Sequence, residues 1–241
     1  MLVMACVEIS PFDSDAFGHP FYRVHSFDPD GLRAELGQLP LETRVAVDAK
    51  VPASDVPNYQ LLMALGFRPV AMMIHLTHRL EAAPEPLPAA RIVPRLDLPE
   101  EVIWRHARNF RYDRFNLDPM LAKEGVARLF FRWITNSLTL GRQQVVHIGH
   151  DFCTFSLRPD GSAAIDLVSV LEHGKGTGKA LVEATVAEAR RLDASFLQVT
   201  TECQNAPAWN LYQRSGFKVA GFTAAMHLVR DPAHLKGNSP L

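Results

Sequence analysis

Three things are scarce in this sequence: cysteine, net charge and long apolar runs. Its three cysteines, Cys6, Cys153 and Cys203, have neither the number nor the spacing of a disulfide framework or a metal site. We therefore expect a reduced, cytoplasmic protein. The formal net charge of −1 gives no electrostatic signature of nucleic-acid or membrane binding, so we expect neither as a partner.

The apolar runs are too short to cross a bilayer, which takes about 20 consecutive apolar residues in a helix. The N-terminus lacks the cationic start of a signal peptide, and Glu8 interrupts its short apolar stretch. By contrast, 47% of the 241 residues are hydrophobic, which is ample for a packed core. Length and composition thus indicate one large globular domain or two small ones.

A glycine-rich segment, residues 173–179, lies between an apolar run at 165–171 and a helical run at 180–192. Glycines lack Cβ, so backbone N–H groups can approach an anion closely, and the following helix adds the positive end of its dipole. Two lysines add cationic charge. The sequence therefore predicts a phosphate-binding loop, whose residues are His173, Gly174, Lys175, Gly176, Thr177, Gly178 and Lys179.

The glycine spacing distinguishes this loop from two common phosphate-binding motifs. No Gly-Lys-Ser/Thr closes it at the spacing of a P-loop. A dinucleotide-binding G-x-G-x-x-G lies early in a βαβ unit, whereas these glycines alternate as G-x-G-x-G late in the chain. Taken alone, the pattern leaves a plain glycine-rich turn as an alternative.

A second motif runs from Asn205 to Phe217 and follows a strand-like segment at 195–201. It reads N-A-P-A-W-N-L-Y-Q-R-S-G-F. Together the loop and this segment resemble the Gcn5-related N-acetyltransferase (GNAT) family, whose hallmarks are R/Q-x-x-G-x-G/A and N-x-x-A-x-x-L-Y-x-x-x-G-F. The resemblance covers roughly residues 91–230. His173 departs from the family pattern, which has Arg or Gln at this position. A neutral imidazole donates one hydrogen bond and carries no charge, so it binds phosphate less strongly.

The resemblance implies an α/β fold of the α+β type with a mixed sheet, the GNAT acyl-CoA N-acyltransferase fold. The order of segments after residue 90, β-α-α-β-β-β-α-β-α-β, fits it. The predicted helices before the loop span about 98–110 and 122–138. The predicted strands before the loop span 91–94, 144–149, 152–157 and 162–170, with a hairpin turn at 159–161.

The chain also resembles itself at an offset of 150 residues. The matching pairs are Pro57 with Pro207, Leu61 with Leu211, Gly66 with Gly216, and Phe67 with Phe217. A helix at 31–39 and strands at 43–51 and 68–77 match a helix at 179–192 and strands at 193–201 and 218–229. We predict a partial GNAT-like domain at 1–83, a proline-rich linker at 84–90 and a catalytic GNAT domain at 91–241. Chance recurrence of a short helix ending in Gly-Phe is the alternative.

The two copies differ where cofactor chemistry would take place. The counterpart of the glycine loop, near residues 23–28, contains no glycine. Leu62 stands at the position of Tyr212, and Asp55 at the position of Asn205. We therefore expect the first half to hold no coenzyme A and to have a structural or substrate-shaping role.

Three softer segments narrow the resemblance within the family. They are similar to segments of a two-part subgroup that includes TDP-fucosamine acetyltransferases. The matches are residues 12–20 with its N-terminal F-D-S-x-x-F-G, residues 114–119 with R-F-x-x-D-P, and residues 131–138 with W-I-x-N-S/A. The subgroup implies a nucleotide-linked amino sugar as acceptor. It also contains enzymes of unknown substrate, so another amine stays open.

The resemblance implies acetyl-CoA as co-substrate, no metal, and attack by a neutral amine on a thioester carbonyl. In the family, the strand before the loop diverges from the next strand at a bulge, and its backbone pairs with the pantetheine arm. Here these residues are Leu167, Val168, Ser169 and Val170. Asn205 matches a residue that binds pantetheine, with a helix N-cap as the rival role. Tyr212 matches the proposed proton donor to the thiolate, with a core tyrosine as the alternative.

The remaining site residues are less specific. Asp166 and Glu202 are candidate bases, and a solvated or salt-bridged carboxylate is the alternative for each. Arg111, Tyr112 and Arg114 lie in the segment that covers the acceptor in this fold, where arginine suits a diphosphate. A surface loop without contacts is equally compatible.

The expected partner is a small-molecule amine, and the oligomeric state is open, with a homodimer as one alternative. Two other functions stay open: acetylation of an antibiotic or peptide N-terminus, and non-catalytic binding of acyl-CoA.

Overall fold

The computed structural model describes residues 5–80 and 90–232 of the 241-residue chain. The predicted linker, except Ala90, lies outside the described residues. The chain divides into two compact units. Unit 1 takes its described residues from Met1–Met73, Arg114–Leu129 and Phe222–Leu241. Unit 2 takes them from Ile74–Asp113 and Phe130–Gly221.

Unit 1 consists of helices and part of a mixed sheet. Its helices are α1 (Pro11–Phe17), α2 (Pro29–Gly37), α3 (Val56–Ala64), α5 (Arg114–Leu117) and the first part of α6 (Lys123–Thr139). Its strands are β1 (Val7–Ile9), β2 (Phe21–Val24), β3 (Val45–Pro52) and parts of β4 (Arg68–Arg79) and β10 (Lys218–Arg230). The strand order is β1-β2-β3-β10-β4, in which β2 is parallel to β3 and β10 antiparallel to it.

The core of unit 1 forms where the helices cover this sheet. Leu32 and Leu36, four residues apart on α2, lie on one helical face and are buried. They join Val47 of β3, Leu62 of α3 and Met226 of β10 in one apolar cluster. The β3 pattern of nearly continuous burial is typical of a strand covered on both faces.

Unit 2 contains the remaining elements. Its helices are α4 (Glu100–Asn109), the rest of α6, α7 (Thr177–Arg191) and α8 (Ala206–Arg214). Its strands are β5 (Arg91–Val93), β6 (Gln144–Ile148), β7 (Asp151–Leu157), β8 (Ala163–Ser169), β9 (Phe196–Glu202) and parts of β4 and β10. The order here is β4-β9-β8-β7-β6-β5. β8 is parallel to β9 and antiparallel to β7, so the predicted mixed sheet is confirmed.

Helix α7 supplies much of the core of unit 2. Leu181, Val182, Val186 and Ala189 recur at helical spacing and are buried in the apolar cluster of this unit. That face fixes the orientation of the helix, and with it the position of the glycine loop at its N-terminus.

The repeated motif has the same local geometry in both units. Gly66 follows α3 with φ 88°, and Gly216 follows α8 with φ 89°, a left-handed conformation that favours glycine. Each Gly-Phe pair closes its helix in the same way: the phenylalanine N–H donates to the carbonyl five residues earlier at 3.0 Å. The sequence match at an offset of 150 residues is therefore also a match of helix ends.

The sequence predictions missed four short elements. β1, α1, β2 and α5 have three to seven residues each, too few to show a periodic pattern. The predicted helices and strands are present with ends shifted by at most three residues, and α7 begins at Thr177 instead of 179. Within residues 5–80 and 90–232, no helix combines the length and apolarity that crossing a membrane requires.

Candidate functional site

Strands β8 and β9 are paired at one end only. Ala163 lies opposite Leu197 and Ala164 opposite Gln198, and the register between the two strands stops there. On its other side β8 stays paired with β7 as far as Ser169. The later backbone groups of β8 that face β9 thus have no ladder partner there.

A β-bulge lies where the two strands part. Leu167 faces Thr154 on β7, whereas the next register pair joins Ile165 to Phe155. Asp166 is therefore the extra residue of β8. A bulge bends its strand and raises the local twist, which turns the end of β8 away from its former direction.

The glycine loop leads from β8 into the N-terminus of α7. Gly174 and Gly176 have φ of 83° and 80°, values that strain any residue with a side chain. Gly176 is the N-cap and offers no side chain, so the first N–H groups of this 15-residue helix are not capped by one. A Cβ at Gly178 would lie 3.4 Å from Leu211 and 3.7 Å from Val170, so this glycine permits close packing.

Both lysines of the loop have carboxylate partners. Lys175 pairs with Glu172, and Lys179 Nζ lies 2.6 Å from Glu183 Oε1. The pairs are at i,i+3 and i,i+4 spacing and largely exposed, so an arriving polyanion can displace the carboxylates at small cost. The spacing of Glu172 and Glu183 was visible in the sequence and predicts these pairs. His173 lies exposed in the same loop.

Tyr212 lies in α8 and is 5% exposed. Burial raises the pKa of its hydroxyl above the ordinary value, and the neighbouring Cys153 and Glu202 raise it further. Its ring packs against Phe217 at 5.6 Å between centroids. The hydroxyl therefore stays protonated and is available as a hydrogen-bond donor, while the ring belongs to the core.

Asn205 is the N-cap of α8. Its side-chain oxygen accepts the Ala208 N–H at 3.3 Å, and its amide donates to Thr201 Oγ1 at 3.2 Å. The N-cap role is thus present in the structure. Asp55 holds the same position before α3 and accepts the Asn58 N–H at 3.3 Å.

Asp166 and Glu202 occupy different environments. Asp166 accepts hydrogen bonds from Gln143 at 2.8 Å and Ser156 at 3.4 Å. Burial raises the pKa of its carboxyl above the usual range despite these bonds. Glu202 is buried at the end of β9, near enough for its charge to raise the pKa of Tyr212.

The three residues predicted to bind the acceptor substrate do not all belong to the same unit. Arg111 and Tyr112 belong to unit 2 and are exposed. Arg114 belongs to unit 1, where its guanidinium donates to both carboxylate oxygens of Asp48 at 3.2 Å and lies over the Phe115 ring. That ion pair is buried and bidentate, which gives Arg114 a structural task in unit 1.

Sequence reasoning missed a group of polar residues around the end of β8. They are His106 and Asn109 of α4 and Asp151 of β7, which contact Ser169, Val170 and Leu171. No motif marks them, because their partners lie 20 to 63 residues away in the chain. Among the described residues no group of three His, Cys, Asp or Glu side chains is arranged to hold a metal ion.

Comparison with known proteins agrees with this geometry. The sequence model of the acetyltransferase (GNAT) family matches residues 152–217. No curated protein matches the chain significantly.

Solved structures match over most of the chain at low identity. A GCN5-related N-acetyltransferase from Sphaerobacter thermophilus has 18% identity and a TM-score of 0.62, over 94% of this chain and 76% of that one. A GCN5-related N-acetyltransferase from Kribbella flavida has 12% identity and a TM-score of 0.57, over 94% and 88%. A tandem GNAT protein from the clavulanic acid biosynthesis pathway has 14% identity and a TM-score of 0.55, over 89% and 77%. The chain therefore has the GNAT acetyltransferase fold, and the family model's match to the segment that carries the glycine loop, Asn205 and Tyr212 supports its assignment to the GNAT superfamily.

Proposed function

We propose that this protein is an N-acetyltransferase that transfers an acetyl group from acetyl-CoA to a primary amine of a small molecule. One observation carries the proposal. The parting of β8 from β9 leads directly into a glycine loop at the uncapped N-terminus of α7. An extended polar arm and a polyphosphate can be bound by these two adjoining features, and acetyl-CoA contains both.

The residues around the gap between the ends of β8 and β9, which we call the cofactor cleft, suit this cofactor. The loop from His173 to Lys179 offers backbone N–H groups, a helix dipole and two displaceable lysines to the phosphates. The backbone of residues 167–170 lies along the side of β8 that β9 leaves unpaired, which suits the amide groups of pantetheine. Asn205 is placed between Thr201 and the start of α8, where its oxygen retains a free lone pair. When bound, acetyl-CoA supplies the acetyl group as a reactive thioester.

The titratable residues have matching roles in the transfer. The amine nitrogen forms the new C–N bond, the C–S bond breaks, and one proton leaves the nitrogen while the sulfur takes one up. Tyr212 donates to the departing sulfur. Because burial raises the pKa of its hydroxyl, full proton transfer requires that the same desolvation disfavour the thiolate. Asp166 or Glu202 accepts the amine proton, directly or through water. Asp166 is the better base by its raised pKa.

The acceptor we favour is an amino sugar linked to a nucleotide. Residues 12–20, 114–119 and 131–138 support it by their similarity to the TDP-fucosamine acetyltransferase-like subgroup. The exposed Arg111 is available to bind the diphosphate of such a substrate, and the exposed Tyr112 to stack on its nucleobase. Arg114 is already held in its ion pair with Asp48. The other candidate acceptors are an antibiotic amine and a peptide N-terminus. Three unpaired cysteines favour a cytoplasmic setting.

We further propose that residues 1–83 are a partial copy of the fold that binds no cofactor. The N-terminus of α2, the counterpart of α7, is capped by its own carboxylate: Asp28 accepts the Gly31 N–H at 2.8 Å. This carboxylate occupies the donor that a phosphate would need and repels it. The similar tandem protein of the clavulanic acid pathway supports a two-copy organisation.

The test combines a binding measurement with an activity measurement. Calorimetric titration with acetyl-CoA should show binding, and thiol release should follow when sugar nucleotides, aminoglycosides or peptides are added in turn. Binding without thiol release for any amine would favour a non-catalytic acyl-CoA-binding protein. Absence of binding would contradict the proposal.

A further inference from the structure

Three consecutive residues at the end of β8 are each held by a side chain from another element of unit 2. The contacts join Ser169 to His106, Val170 to Asn109, and Leu171 to Asp151. Their lengths are 2.8, 2.8 and 2.9 Å. They begin where the ladder to β7 ends and five residues after the ladder to β9 has stopped.

His106 holds Ser169 as a neutral imidazole. Its Nε2 lies 3.0 Å from the carbonyl oxygen of His150, and a carbonyl only accepts, so Nε2 carries the proton. Nδ1 is then an acceptor for the Ser169 hydroxyl. Burial lowers the pKa of His106, which favours this neutral form. Its ring packs against Phe152 at 4.9 Å, so the imidazole is fixed by contacts on several sides.

Asn109 and Asp151 supply hydrogen-bond partners where the ladders to β7 and β9 have ended. A strand that leaves its neighbour must satisfy its N–H and C=O groups elsewhere. Asn109 Nδ2 donates to the Val170 carbonyl, and Asp151 Oδ1 accepts the Leu171 N–H. The two groups of opposite polarity are thus bonded although neither ladder reaches them.

We propose that His106, Asn109 and Asp151 are positioning residues that hold the end of β8 apart from β9 before acetyl-CoA binds. The proposal rests on the proposed function and adds to it the groups that prepare the cofactor cleft. A strand end fixed in advance pays no ordering cost when a ligand pairs with it, so the contacts favour affinity for acetyl-CoA. They do not touch the acceptor amine or the transferred acetyl group.

Asn109 is the position at which to test this, because it is half-buried and stands at the end of α4. Asn109→Leu removes the donor to Val170 and keeps the number and branching of the side-chain heavy atoms, and Asn109→Asp replaces the donor with an oxygen. Either change should raise the Kd and KM for acetyl-CoA by about 10-fold, by loss of one well-placed hydrogen bond and of preorganisation. The kcat at saturating acetyl-CoA and the KM of the acceptor should stay near the wild-type values.

Hydrogen exchange provides a second readout that needs no cofactor. In the free protein, the amides of Val170 and Leu171 should exchange faster in the Asn109 variants than in the wild type. Gln60→Glu, an exposed change of amide to carboxylate in α3, is the matched control and should alter neither readout.

Wild-type affinity and unchanged exchange in both Asn109 variants would overturn the proposal. A parallel loss of cofactor affinity, acceptor affinity and Tm would also overturn it, since it would indicate a general structural role. A wild-type protein that does not bind acetyl-CoA would instead contradict the proposed function, and the exchange measurement separates the two failures.

Discussion

His227 Nδ1 lies 2.8 Å from Asp118 Oδ2, and both side chains are almost completely buried in unit 1. On the other side of the ring, His227 Nε2 is 3.4 Å from Asp48. Asp118 also accepts from Arg68 and from the Met120 N–H. The last strand of the described chain is thereby joined through charged groups to β3 and to the segment after α5.

These contacts shift the ionisation of all three central groups. Burial alone would lower the pKa of His227, but its hydrogen bond to Asp118 and the nearby Asp48 carboxylate raise it above the ordinary value. Burial would raise the pKa of Asp118, yet His227 and the Met120 N–H lower it to about 2. The pKa of Asp48 is also depressed, since the charge of Arg114 and the contact with His227 outweigh burial.

The first prediction is a pH dependence of folding stability. A raised histidine pKa contributes stability that is complete below the unfolded value of 6.5 and is lost as the pH rises through the folded value. The depressed pKa of Asp118 contributes stability above 3.8 that is lost as the pH falls toward 2. Thermal unfolding followed from about pH 5 to about pH 9 should therefore show a declining Tm on the alkaline side.

His227→Gln should lower the Tm below pH 6.5 and flatten the alkaline decline, because the titrating group is gone. His25→Gln is the matched control, since His25 is a half-exposed histidine of the same unit. An alkaline decline of equal slope in His227→Gln would show that another group causes it.

The second prediction concerns Gly176. A Cβ at this position meets nothing within 4 Å, so Gly176→Val should cause only backbone strain, about 1–2 kcal/mol. The side chain would nevertheless stand in the loop that we assign to phosphate, and acetyl-CoA binding by calorimetry should be lost. Gly161→Val carries the same positive φ and equally open space in another turn, and it should bind normally. Equal affinities of the two variants would refute the assignment of the loop.

The third prediction is a stoichiometry of one acetyl-CoA per chain. In unit 1 the Asp28 carboxylate caps the N-terminus of α2. Leu62 stands at the position in α3 that corresponds to Tyr212 in α8. Titration to saturation should therefore reveal a single class of sites with a ratio of one. A second equivalent would show that the first half also binds the cofactor.

The fourth prediction separates the roles of Tyr212. Tyr212→Phe keeps the ring against Phe217 and removes only the hydroxyl. Turnover should fall by about 10²-fold while the affinity for acetyl-CoA changes little, because the proton donor acts in the chemical step. Tyr59→Phe on α3 serves as control. Unchanged turnover would make Tyr212 a core residue alone, and parallel loss of affinity and turnover would make its hydroxyl a cofactor contact.

The fifth prediction distinguishes the two candidate bases by a pH–rate profile. A base acts in its deprotonated form, so kcat/KM should fall as the pH drops through its pKa. The raised pKa of Asp166 places that fall above 3.8. Asp166→Asn should lower kcat/KM and remove this acid limb, whereas Glu202→Gln should retain it. The reverse result would assign the base to Glu202.

Much of the candidate site was predictable because its signals are local. The left-handed Gly216, the cap at Asn205 and the loop before α7 each depend on a few neighbouring residues. The order of strands and helices followed from periodicity. Strands β1 and β2 were missed, since three or four residues carry no period.

The sequence by itself determined the glycine loop, the repeat at an offset of 150 residues and the mixed α/β class, because these depend on backbone conformation and on residue order. Only the tertiary structure decided where β8 leaves β9, which side chains hold Ser169, Val170 and Leu171, and that His227 meets Asp118 from 109 residues away. Strand register and buried polar contacts depend on which distant segments become neighbours, and that is set by packing of the whole core and not by any local pattern.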